Sequence, residues 1–408
     1  MRWVMSLFIL FIVVVAASTG WYFFHGKSEG SNTIGNSNDD TIVDQDNNTD
    51  RGDDLVYEKN APVYVTIYSH NEDSWDSLVN TKEKYLEYRD GLLERASLLA
   101  QYDISWDWQS DQPVVEAMIA NEDAETVAYG TDGKNILKYL EDQGVSLDPH
   151  AHTNNYADIV YLMKQLGVTP SSVIGGLTHV ECGKEYLGFL DFMSWQDEIA
   201  LEADGSVHGE AYPQARWKPE ILSDPGMGRH YFDDWSTGVW RPGDGEDFYT
   251  DDPTSDIVYI GEGYPHDATI IGAEHAGGCE VHASNGQYIK ELVQKIEEGE
   301  LPTGTVDGDR FMYTASIHVR DKAIVEEGGS VPTDTVEGLR AVLEELQPLR
   351  EAGKIIFVNF EEAADIWREE YDAVPWHVNL ETFSFYDQVL EQGQAYCRSK
   401  SPLPDRVR

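Results

Sequence analysis

The sequence predicts an α/β protein whose parallel strands are joined by helical crossovers, either an α/β barrel or an open α/β sheet. Three observations predict it. Strand-like and helix-like segments alternate at both ends of a body spanning residues 57–375. The chain has 408 residues, 41% of them hydrophobic, which is enough for a sizeable core and one large domain or two ordinary ones. Reactive polar side chains fall at the ends of several strand-like runs, where α/β folds bind ligands.

"APVYVTIYSH" (61–70) is β-branched and aromatic, a buried strand by type. The next segment carries Tyr85, Tyr88, Leu92, Ala96 and Leu99 at helical spacing. "YDISWDW" (102–108) reads as a second strand, and "QPVVEAMIA" and "GKNILKYLEDQG" as helical pieces, the latter stopped by Gly144. "VSLDPH" (145–150) is a third strand, followed by a helix ending at Gly167 and a strand in "SSVIGG". An irregular insertion rich in Gly and Asp covers about 185–280. It holds strand-like "RWKPEIL" (216–222), "TGVWRP" (237–242) and "DIVYIGEG" (256–263). Regularity returns with a helix over 284–299, for which Ser284 is a candidate N-cap. Strand "RFMYTASIHV", a helix over 333–353, strand "KIIFVNF" and helix "EEAADIWREEY" complete the body. Residues 376–408 read as a C-terminal extension.

Residues 1–27 read as a signal anchor or a signal peptide. The run Leu7–Ala17 has the size of a signal-peptide core. The wider stretch Trp3–Phe24, closed by an aromatic cluster, approaches the ~20 residues that cross a bilayer and favours the anchor. Residues 28–56 are mostly Asn, Asp, Ser and Gly, the composition of a flexible tether. The body is thereby expected outside the cytoplasm. The 74 acidic and 29 basic residues give a net charge of −45, which repels nucleic acid phosphates. Acidity spread along the whole chain fits saline surroundings that screen self-repulsion. Cys182, Cys279 and Cys397 form no CxxC pair; their odd number leaves at least one outside any disulfide.

Candidate chemistry sits at four strand ends. "SHNEDSW" brings His70, Glu72 and Asp73; "VSLDPHAH" brings Asp148, His150 and His152; "TGVWRP" brings Trp240 and Arg241; and "ASIHV" brings His318. Residues two apart on extended chain face one side, so Asp148, His150 and His152 can share a target. Imidazoles and a carboxylate, from Asp73 or Asp148, make a catalytic zinc set with one open position. The bland alternatives are a solvated HAH loop, acidic residues at a helix N-terminus, and a core histidine at 318. Six histidines of the middle region, among them His208, line a cleft or decorate loops.

The order of these features resembles the polysaccharide deacetylase (NodB-like) family and its glycoside hydrolase/deacetylase superfamily. "HNED" is similar to that family's acidic pair, "DPHAH" to its metal-binding histidines, "WRPG" to its Arg-Pro stretch and "ASIHV" to its late-strand histidine. "IIFVNFEEAADIW" is similar to its final strand and helix. The acidic pair here is Glu-Asp rather than Asp-Asp. The histidines are two apart rather than four, with Asn154 where a second His is expected. The resemblance implies a distorted (β/α) barrel and a divalent ion, most often zinc. It implies Asp73, His150 and His152 as ligands, Glu72 as base, Arg241 orienting it, and His318 as general acid. Trp240 and His70 are candidate substrate contacts. The implied reaction removes acetyl groups from an extracellular or cell-surface polysaccharide. A glycoside hydrolase using two carboxylates, or a non-catalytic anchored carbohydrate-binding protein, are the alternatives.

Overall fold

The computed structural model describes residues 61–73, 78–151, 154–176, 195–223, 236–244, 247–262, 286–301, 310–319 and 335–379. The expected anchor, the tether, Ser284 and the three cysteines lie outside these. Among the described residues no helix is long and apolar enough to cross a membrane.

β1 (Val63–Asn71) is buried along its whole length. Its alternate residues serve two faces. Val63, Val65 and Ile67 join the core formed with the helices, whereas Tyr64 and Tyr68 join a second core on the other side. α1 (Lys82–Gln101) begins where Thr81 accepts a hydrogen bond from Lys84 N, and it buries the five-residue stripe read from the sequence. β2 (Asp107–Ser110) begins and ends later than expected, and α2 (Gln112–Asn121) follows it at once. Asp111 caps that helix at Val114 N and Pro113 occupies its first turn, a placement proline favours. α3 (Ile136–Asp142), β3 (Ser146–Pro149) and α4 (Tyr156–Gln165) complete the regular first half, and the short α5 (Trp195–Glu198) lies beyond it.

β10 (Tyr313–His318), β1, β2 and β3 lie side by side, all parallel, and β11 (Ile355–Phe357) pairs with the start of β1. α6 (Gly286–Glu298) and α7 (Val336–Glu351) precede β10 and β11 and bury their apolar stripes on the outer face. The α/β class with a parallel central sheet is thus as expected.

The second sheet runs β12 (Trp376–Asn379), β8 (Ser236–Trp240), β9 (Val258–Glu262), β7 (Ile221–Leu222), β4 (Val173–Ile174). β4, β7 and β9 are parallel, while β8 is antiparallel to both its neighbours. Three expectations are corrected here. The run 216–222 is not one strand: β6 (Arg216–Trp217) pairs with β5 (Val207–His208), and Pro219, which lacks a backbone donor, separates it from β7. The extension beginning at 376 contributes an edge strand to the body. And β8 does not run with the other strands.

Among the described residues the strands do not close into a hydrogen-bonded barrel. The sheets meet in two other ways. A parallel bridge joins His150 to Gly175 beyond the ends of β3 and β4. On the far side a side-chain seam replaces a ladder. Thr237 Oγ1 accepts from Thr314 N at 2.8 Å, and Thr314 Oγ1 accepts from Gly238 N at 2.9 Å and donates to Gly261 O at 2.5 Å. α8 (Phe360–Glu370), with the capping box Asn359–Glu362, fills the space between the sheets. Its Phe360, Ala363, Ala364 and Trp367 pack with Tyr64, Tyr68, Ile221, Val258 and Ile260.

Candidate functional site

Register decides which side chains share a face. Tyr68 pairs with His318, His70 with Gln109, and Gln109 with Asp148. Partners in parallel strands point the same way, and His150 lies two residues beyond Asp148 on that face. Thr66, Tyr68 and His70 of β1, Ser316 and His318 of β10, Gln109 of β2 and His150 therefore line one side, toward the second sheet. The contacts agree. Thr66 and Ser316 hydroxyls lie 2.8 Å apart. The His70 ring centroid lies 4.0 Å from that of His150 and 5.1 Å from that of His318, and Tyr68 packs against both His70 and His318.

Glu72 completes the group, with Oε1 3.5 Å from His150 Nε2. The turn that carries Glu72 is held from the opposite face. Asn71 donates to Ser69 Oγ and to Gln109 O and accepts from Tyr88 OH, which itself accepts from Trp108 Nε1. Trp106 Nε1 donates to Ser69 Oγ. Each bond contributes roughly 0.5–1.5 kcal/mol net, and together they fix where β1 ends.

Beneath the imidazoles lie two buried carboxyls. Asp148 accepts from Ser171 Oγ at 2.6 Å, Ser146 Oγ at 2.8 Å and Gln109 Nε2 at 3.4 Å. Burial pushes its pKa up to about 7, against the pull of the two serine hydroxyls. Asp107 accepts from Phe360 N at 3.2 Å at the start of α8. Burial, reinforced by the nearby Asp148 charge, holds it well above the usual carboxylate range.

The His150 ring fits because the facing backbone carries no side chains. Gly176 has φ +71°, and a Cβ there would stand 2.7 Å from Cε1 and 2.8 Å from Nε2. A Cβ on Gly175 would overlap Gln109 Oε1 and stand 3.0 Å from His150 Nδ1.

The structure thus brings together Glu72, His70, His150 and His318 from three parallel strands. Asp73 is at the same rim, where its Oδ1 accepts from Val79 N at 2.7 Å. His152 lies outside the described residues. Arg241 is not brought there. Because β8 runs antiparallel, Arg241 leaves the sheet on the side where the parallel strands begin. It grips Asp251 through Nε at 2.9 Å and Nη2 at 2.5 Å, and it stands 5.9 Å from the Trp367 ring centroid. The expected role in orienting Glu72 does not survive that direction. Trp240, 1% exposed, packs among Phe248, Tyr249, Tyr259 and His377 and donates to Phe248 O, so it is a core residue. His208 faces Glu202 at 3.4 Å on the β5–β6 hairpin.

Sequence reasoning passed over Gln109, Ser171, Ser223 and the Gly175–Gly176 pair. The glycine pair closing "SSVIGG" was the only visible signal. Imidazoles with carboxylates are a donor set suited to zinc. Two ligands of one tetrahedral zinc stand roughly 3.3 Å apart, close to the Glu72–His150 separation. Among the described residues, no three His, Cys, Asp or Glu side chains are grouped to hold one ion. No protein-family model matches the chain, and no curated protein matches it.

Proposed function

We propose that the chain is a metal-dependent hydrolase that removes acetyl groups from an extracellular or cell-surface polysaccharide. In this reading the two sheets are the arcs of a distorted (β/α) barrel of the NodB type, and residues 1–27 hold the protein at a membrane or direct its export. The observation that carries the reading is the meeting of Glu72, His70, His150 and His318 at the carboxyl ends of β1, β3 and β10.

Asp73, His150 and His152 would hold the ion. When bound, such an ion lowers the pKa of a coordinated water and polarises a carbonyl. The chain's own residues do the rest. Glu72 Oε1, beside His150, takes up a proton as water attacks the acetyl carbon. His318, across His70 from His150, returns a proton to the departing amine or alcohol. His70 fills the space between them and bounds the pocket for the acetyl group. Tyr68, packed under His70 and His318, keeps both rings at the mouth.

Elemental analysis of the purified protein, with acetate release from acetylated polymers, tests the proposal. The expected result is bound metal in the wild type, loss of metal and activity together in His150→Ala, and retained metal without activity in Glu72→Gln. New reducing ends without acetate would assign a glycoside hydrolase instead. Full metal content in a His150→Ala/His152→Ala protein would overturn the ligand assignment.

A further inference from the structure

Gln109 lies fully buried on β2, between the strands that carry His70 and His150. Its amide can be oriented from its partners. Asp148 already accepts from Ser146 and Ser171 as well as facing Gln109 Nε2. Ser223 Oγ, 2.9 Å from Nε2, spends its own proton on Ile174 O at 3.1 Å, leaving lone pairs for Gln109. Both neighbours are acceptors, so the NH2 group faces them and the carbonyl Oε1 faces away. Oε1 is buried and accepts no hydrogen bond among the described residues. It points into the space above Gly175, where a single Cβ would meet both Oε1 and His150 Nδ1. A buried acceptor of this kind calls for a donor, because leaving it unsatisfied is costly.

We propose that Gln109 is the positioning residue of His150: its Oε1 serves as acceptor for the Nδ1–H group, which keeps the proton on Nδ1 and leaves Nε2 as the bare nitrogen facing Glu72. Serine and aspartate hold the amide, the amide holds the imidazole, and Nε2 is presented to the mouth. Outer partners of this type fix the tautomer and orientation of a reactive histidine. The inference rests on the proposed role of His150 at the site, but not on the reaction, the metal or the substrate.

The test is the imidazole 15N spectrum of full-length protein labelled in histidine, at pH 8. His150 is identified as the signal lost in His150→Gln. The expected wild-type signature is a proton on Nδ1 and a bare or metal-shifted Nε2, with the preference lost in Gln109→Leu. A proton on Nε2 in the wild type, or an unchanged signature in Gln109→Leu, overturns the proposal. A second reading needs no assignment. Asparagine places its NH2 where Nδ1–H stood, whereas glutamine reaches toward the Nε2 position. His150→Asn is therefore expected to melt above His150→Gln, and the reverse order overturns the proposal. If metal binds, Gln109→Leu is also expected to weaken it about 10- to 100-fold. Absence of metal or acetate release would sink the hydrolase reading while leaving the tautomer result to decide this one.

Discussion

Replacing Gly176 by alanine tests whether the imidazole of His150 stands at the mouth. Two separate costs are expected. At φ +71° an L-residue is in the left-handed region, which costs about 1–2 kcal/mol. The new Cβ would also stand 2.7 Å from His150 Cε1, 2.8 Å from Nε2 and 2.9 Å from Ala151 O. All three are shorter than ordinary van der Waals contact, and one neighbour is backbone, which cannot swing aside. Overpacking of this kind typically costs about 1–3 kcal/mol more. Gly167 supplies the control. It has φ +78° with nothing within 4 Å of the Cβ position, so Gly167→Ala carries the backbone cost alone. The smaller unfolded-state entropy of alanine helps both variants equally and cancels in the comparison.

Urea unfolding of the two variants reads the difference. An excess loss near 2 kcal/mol in Gly176→Ala displaces its midpoint by about 1 M relative to Gly167→Ala, for m near 2 kcal/mol/M. Equal midpoints at unchanged m would mean that nothing crowds Gly176. The ring of His150 would then lie elsewhere, and its meeting with Glu72 would fall with it.

Three further outcomes are expected. Asp148 has its pKa raised to about 7 in the fold, from an ordinary value near 4. The native state then holds the extra proton between those values, so stability falls as pH rises from about 4 to about 7, by up to roughly 4 kcal/mol. Asp148→Asn flattens that slope in urea titrations across pH, and an unaltered slope would refute the assignment. The Arg89–Glu122 pair, at 2.9 Å with side chains 1% and 3% exposed, is buried, so Glu122→Ala strands a guanidinium and is expected to cost about 3–5 kcal/mol. A loss under 1 kcal/mol in chemical denaturation would contradict it. Thr314→Val removes both the acceptor for Gly238 N and the donor to Gly261 O, and is expected to cost about 2–4 kcal/mol, with Thr314→Ser largely rescuing it; equal stability of the two variants in thermal melts would show the seam to be inert.

What could be read from the sequence follows from which physics is local. The apolar stripe of α1 and the buried run of β1 announced their elements, because periodicity is written along the chain. Parallel direction for β1, β3 and β10 followed from the intervening helices, and so the rim that collects Glu72, His150 and His318 was foreseeable. Arg241 failed for the opposite reason. Among the described residues no helix lies between β8 and β9, and strand direction inside an irregular region leaves no mark on composition. Trp240 reads as a sugar platform only if exposure is assumed, and burial is a tertiary property. Gln109 was invisible because an uncharged polar residue in "DWQS" shows no chemistry until its neighbours are known.

Strand order explains why that glutamine matters. His70 belongs to β1 and Glu72 follows it directly, while His150 follows β3, with β2 between the two strands. Strands once removed are separated by roughly 10 Å, yet the His70 and His150 rings are 4.0 Å apart. The two imidazoles must therefore lean toward each other above β2. Something must fill the floor under that arch without pushing the rings apart. Gln109 does this from β2, its NH2 group held by Ser223 and Asp148 and its carbonyl oxygen turned toward Gly175. A shorter residue would leave a cavity into which the rings could settle. A bulky apolar one would offer no acceptor and press on His150. The reactive group at the mouth is thus set by a residue with no reactivity of its own, through its length and the direction in which its amide is held.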